Sequence, residues 1–109
     1  MKTANEVQPP PVAVEYAREV RKRLGDHVRH IILFGSQARG EANKGSDYDF
    51  IVVVDQRTRA LRDLVSEVGD KMLDEHEELC AALFYDEKEW ELVCGAPLGW
   101  NVEREGIVL

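Results

Sequence analysis

Asp47 and Asp49 are two carboxylates, one residue apart, at the head of the apolar run Phe50-Ile51-Val52-Val53-Val54. Side chains alternate along a strand, so this spacing puts both acids on one face and Tyr48 on the other. Close carboxylates repel each other and favour either a proton or a cation. Hard oxygen donors with open positions suit magnesium, which keeps some water and takes substrate phosphates as further ligands. A pair of metals held this way can clamp the attacking and leaving oxygens of an in-line displacement. Taken alone, the two acids also fit a turn or cap beside a buried strand; the residues before them weigh against that.

Those residues begin Gly35-Ser36-Gln37-Ala38-Arg39-Gly40, and ten residues separate Ser36 from Asp47. A strand running into a glycine turn is a place where backbone N–H groups meet phosphate oxygens. Gly35 brings the backbone close without a Cβ. Ser36 adds a hydroxyl, and Arg39 can fork onto two phosphate oxygens or serve as a surface ion-pair partner. Lys44 reads as a loop lysine.

These residues need a strand on each side of the loop. Val28–Phe34 is rich in branched apolar residues and reads as the first strand, with Tyr48–Val54 as a second, apolar on both faces and so central. Residues 37–46 hold Gly40, Asn43 and Gly45 and read as a short helical turn followed by a loop. Before them, residues 1–11 read as a polar lead-in ending in three prolines, and Val12–Leu24 as an amphipathic helix stopped by Gly25. Arg57–Leu73 is the clearest helix, with Leu61, Leu64, Val65, Val68 and Met72 on one stripe and Gly69 as a weak point. Glu78–Tyr85 reads as a third strand. Asp86 with Glu89 forms a capping-box pattern for a short helix through Trp90. Leu98–Glu105 reads as a helical turn or irregular segment, and residues 106–109 as an edge strand. The expected architecture is a single α/β domain over residues 12–109, a small sheet covered by helices.

Gly-Ser, ten residues and Asp-x-Asp, in the fuller form GSQARG followed by SDYDFIVVVD, resembles the signature of the DNA polymerase β-type nucleotidyltransferases, and in particular their minimal (MNT) branch. The resemblance spans residues 28–55. It implies a polymerase β-like fold with a small mixed sheet. It implies that Gly35 and Ser36 contact a triphosphate and that Asp47 and Asp49 bind metal and carry catalysis. The reaction implied is magnesium-dependent transfer of a nucleoside monophosphate, AMP from ATP foremost, to a hydroxyl, with pyrophosphate leaving. The protein's contribution is then positioning and charge stabilisation. The resemblance also suggests a HEPN-domain partner, an RNA-cleaving toxin, with this chain as its antitoxin and a tyrosine hydroxyl of the partner as acceptor. Catalysing relatives carry a third carboxylate on a later strand. Here that strand has no interior acid, and Glu78 at its start is the nearest candidate. Without a third acid the alternative is a nucleotide-binding or purely structural antitoxin. Transfer to a small molecule such as an aminoglycoside ranks below both, because the chain has no length for a second substrate domain.

Composition agrees with one soluble domain. The 109 residues are 44% hydrophobic and 32% charged, with a net charge of −7. The first 45 residues carry +3 and the remainder −10. No long basic run exists, so sequence-independent nucleic-acid binding is not expected. Cys80 and Cys94 have no zinc or redox spacing, and His27, His30 and His76 show no metal spacing. Trp90 and Trp100 read as core or partner cover. With no leader-like N-terminus and no apolar run near 18 residues, the expected location is a reducing cytoplasm.

Overall fold

The computed structural model describes residues 1–41 and 47–109; Lys44 lies outside them. The chain runs β1 (Lys2–Thr3), α1 (Pro11–Leu24), β2 (Val28–Phe34), α2 (Ser36–Arg39), β3 (Tyr48–Val54), α3 (Arg59–His76), β4 (Cys80–Asp86), α4 (Glu87–Cys94), α5 (Pro97–Glu105) and β5 (Ile107–Val108). The strands form one sheet in the order β1-β5-β2-β3-β4. The β2–β3 and β2–β5 pairs are antiparallel, while β3–β4 and β1–β5 are parallel.

The sheet is mixed because its connections differ in length. The short connection that begins with α2 returns the chain antiparallel beside β2. The 18-residue α3 instead carries it back over the sheet, so β4 runs parallel to β3. Alternation then sorts the core into two halves. On one face Ile31, Leu33, Phe50, Val52 and Val54 pack with Tyr16, Ala17 and Val20 of α1 and with Val65, Val68 and Met72 of α3. The Tyr16 ring stacks on Phe50 at 3.8 Å between centroids and 9° between planes, an aromatic contact that adds to area burial. On the other face Ile32, Ile51 and Val53 pack with Trp90 of α4 and Val102 of α5. Helices therefore cover both faces.

The expected strands at Val28–Phe34 and Tyr48–Val54 match β2 and β3 at both ends. Three segments differ. Lys2 and Thr3 are part of the sheet, pairing with Ile107 and Val108. Two residues carry too little hydrophobic pattern to declare a strand; the β5 edge recruits them. As a result β5 lies between β1 and β2 and is not at the edge. Residues Pro97–Glu105 form a full helix started by Pro97. At that point α5 crosses α4 so closely that a Cβ on Gly99 would sit 2.0 Å from the Val93 carbonyl oxygen. Gly69, expected to weaken α3, lies where a Cβ would reach 3.4 Å from the Cys80 carbonyl. The helix thus approaches β4 closely there. The Asp86–Glu89 capping box forms in full, with Glu89 N–H donating to Asp86 Oδ1 at 2.8 Å and Asp86 N–H to Glu89 Oε1 at 3.1 Å.

Candidate active site

Asp49 is the second residue of β3 and is half-buried; Asp47 precedes the strand and is exposed. Tyr48, between them, is buried on the α1/α3 face, 6.4 Å from the Phe50 ring. Asp49 shares strand parity with Ile51 and Val53 and so stands on the α4/α5 face. Burial first, then the charge of Asp47, raises the Asp49 carboxyl above its ordinary value. A half-desolvated acid beside a second acid is a donor set for a divalent cation, which would offset both costs.

The partner of this pair is the turn after β2. Register places Phe34 opposite Asp49, so Gly35 follows at the level of the acids. Gly35 has φ +77°, a region that favours glycine. A Cβ there would lie 2.6 Å from Asp49 Oδ2. Gly35 thus satisfies a conformational and a spatial demand together. Ser36 opens the four-residue α2, whose start has no side-chain cap; Ala38 and Arg39 both return their N–H groups to the Gly35 carbonyl. Gly40, at φ +72°, ends it in the left-handed conformation.

Arg39 stands between two carboxylates. Its Nε donates to Glu41 Oε2 at 2.9 Å, and its Nη1 lies 3.1 Å from both Glu105 oxygens. Those contacts, Glu41 first, raise its already high pKa, so it stays charged. Glu105 also accepts the Gly35 N–H at 3.3 Å. Glu105 carries no signal in the sequence, because it is the last residue of a helix seventy positions from Gly35; only the pairing of β5 beside β2 brings it there.

Glu78 lies two residues before β4 and has the parity of Cys80 and Ala82, which pack on the α1/α3 core. Its charge acts on Tyr48 and Cys80. The β4 residue level with Asp49 is Ala81. Burial, then Glu78 and Asp47, pushes the Cys80 thiol up to about 12, so it stays protonated. An open cavity of about 670 Å3 adjoins α2, lined by Pro9, Pro10, Ala38, Arg39, Arg104 and Glu105 among others. Its lining includes neither aspartate. Glu15, Glu75 and His76 bring one ligand atom each within 4.8 Å of one another on α1 and α3, with His76 Nε2 at 3.1 Å from Glu15 Oε2. The sequence holds no regular spacing that announces this group, and it is separate from the aspartates.

Comparison with known proteins places this geometry in context. The nucleotidyltransferase domain family matches residues 14–97. A curated protein of Methanocaldococcus jannaschii, named as a candidate protein adenylyltransferase, is 38% identical over 60 residues; the match takes in 49% of this chain and 41% of that protein. The match therefore spans about two fifths of that relative's length. Among solved structures, a toxin–antitoxin with AMP-PNP superposes with a TM-score of 0.55 at 19% identity, over 84% of this chain and 68% of the other. A mutant of the MntA–HpeT toxin–antitoxin gives 0.56 at 16% identity, over 86% and 69%. A nucleotidyltransferase candidate from Sulfolobus solfataricus gives 0.50 at 17% identity, over 94% and 89%. At these identities the structural likeness speaks for the fold.

Proposed function

The chain belongs to the nucleotidyltransferase domain family, and from that premise we propose a magnesium-dependent enzyme that moves AMP from ATP onto a hydroxyl of a partner protein. The observation that carries this reading is the junction of Gly35 and Asp49, where a Cβ on the glycine would lie 2.6 Å from the carboxylate. The phosphate-facing turn and the metal-binding acid are thereby in contact. The donor set fits the metal: two hard, mutually repelling carboxylates, one of them already pushed toward protonation. Asp47 and Asp49 would hold magnesium, which when bound neutralises phosphate charge and favours the displaced pyrophosphate.

The remaining work belongs to the chain. Ser36 offers its hydroxyl and its N–H at the turn that begins α2, and Gly35 keeps the approach open. Arg39 is charged and beside the turn; to fork onto phosphate it would exchange Glu41 or Glu105 for the ligand. Glu78, proposed as a third carboxylate, would have to reach round the strand start from the other face. The acceptor is read as a HEPN-domain toxin for which this chain is the antitoxin, in a reducing cytoplasm where Cys80 and Cys94 remain free thiols. No described helix is long and apolar enough to cross a membrane. The test is incubation with ATP labelled at the α-phosphate, magnesium and the partner. Label should transfer to the partner from the wild type and not from Asp47→Asn or Asp49→Asn; an unlabelled partner under these conditions counts against the reading.

A second reading has its own support. Ala81, level with Asp49, supplies no acid, which favours a catalytically weak nucleotide-binding antitoxin, or a structural one, that neutralises by covering its partner. The double variant Asp47→Asn/Asp49→Asn separates the two: undiminished neutralisation selects the structural role.

A further inference from the structure

Three contacts converge on one carboxylate. Glu105 accepts the Gly35 N–H at 3.3 Å and faces Arg39 Nη1 with both oxygens at 3.1 Å. Gly35 immediately precedes α2 and Arg39 is its last residue. That element is a single turn whose start has no side-chain cap and which is bounded by two glycines at positive φ. One turn of helix fixes many dihedrals for few hydrogen bonds and does not hold itself. Glycines on both sides add backbone freedom. The shape of α2 must therefore be imposed from outside, and Glu105 is placed to impose it. It is anchored at the end of α5, immediately before β5 pairs with β2.

The placement is also asymmetric. Gly35 directs its N–H to Glu105, while its Cβ position meets Asp49. Two acids thus flank one glycine, each on a different substituent. The Glu105 side chain is 18% exposed and that of Arg39 40%. Because the arginine end is open to solvent screening, the pair contributes little to global stability, and its consequence is local geometry.

We propose that Glu105 is a positioning residue, clasping Gly35 and Arg39 so that the Ser36 end of α2 is presented in a fixed shape to the triphosphate. In this role Arg39 is the other half of the clasp. The inference rests on the proposed function for its ligand, but the clasp itself is measurable without one. The Ala38 and Arg39 amides, both bonded to the Gly35 carbonyl, report whether the turn is held.

The variants are Glu105→Gln and Arg39→Gln, with the Glu105→Gln/Arg39→Gln double. Glu105→Gln is isosteric, and circular dichroism with thermal melting checks its fold. Hydrogen exchange at Ala38 and Arg39 should quicken by about tenfold in each single variant and no further in the double, since either change opens the same clasp. Affinity for AMP-PNP with magnesium should fall by about tenfold, the weight of one charge-assisted hydrogen bond. Affinity for Mn2+ alone, read at Asp47 and Asp49, should be unchanged. Unaltered exchange overturns the clasp. Altered exchange with unaltered or tighter AMP-PNP binding overturns its positioning role. Additive losses of AMP-PNP affinity in the double variant also overturn it, making Arg39 an independent phosphate ligand. If the wild type binds neither Mn2+ nor AMP-PNP, the reading of the site fails instead, and exchange still decides the clasp.

Discussion

Asp49 Oδ2 occupies the space that a side chain on Gly35 would need: the separation from an ideal Cβ is 2.6 Å, at a backbone φ of +77°. Gly35→Ala therefore meets strain and a clash at one atom. We expect a loss of about 1–3 kcal/mol in unfolding free energy, the cost of a left-handed non-glycine residue. AMP-PNP binding should be lost along with it. Chemical denaturation and calorimetry check both. The same substitution at Gly40 also has positive φ but meets nothing within 4 Å, so it should cost stability without abolishing metal binding.

Asp49 is raised by burial and by Asp47. A group whose folded pKa lies above its unfolded value stabilises at low pH, and that contribution is lost as pH rises through the folded pKa. The cation-free protein should therefore lose stability over the acid range in which Asp49 ionises, and Asp49→Asn should be more stable than wild type at neutral pH. The expected gain is about 0.5–2 kcal/mol, the usual yield of a relieved site. Saturating magnesium should narrow the difference, because the cation binds only the wild type. Melting curves at several pH values, with and without magnesium, decide this.

Glu19 has the opposite sign. The hydrogen bond from Lys71 Nζ, at 2.9 Å, is the main cause that lowers its pKa. Its contribution is present above the ordinary carboxylate pKa and is lost as pH falls through the lowered one. Glu19→Gln should flatten that acid limb of the stability profile and leave metal binding unchanged. An acid limb that is as steep in the variant would rule the pair out as its source.

Register puts Ala81 level with Asp49 and sets Glu78 on the opposite parity. Glu78→Gln should leave Mn2+ affinity within about twofold of wild type, as surface charge changes away from a ligand do. Ala81→Asp adds a carboxylate on the aspartates' own face. It should tighten divalent-cation binding and raise the Asp49 carboxyl further. Titration calorimetry reads the first effect and carboxyl NMR titration the second. A larger loss of Mn2+ affinity from Glu78→Gln than from Asp49→Asn would support Glu78 as the third acid.

Local chemistry made much of this protein legible in one dimension. The apolar runs of β2 and β3, the stripe of α3 and the Asp86–Glu89 box are patterns set by neighbouring residues, and each forms where its spacing indicates. Alternation alone separates Tyr48 from Asp49. What depends on distant pairing could not be read. Lys2–Thr3 is a strand only because β5 offers an edge. Glu105 reaches Gly35 only because β5 lies against β2. Ala81 is level with Asp49 only through the parallel register of β4. Spacing within a segment is dictated by backbone geometry that every residue carries, whereas which segments meet is decided by burying both faces of the sheet at once, a property of the whole chain.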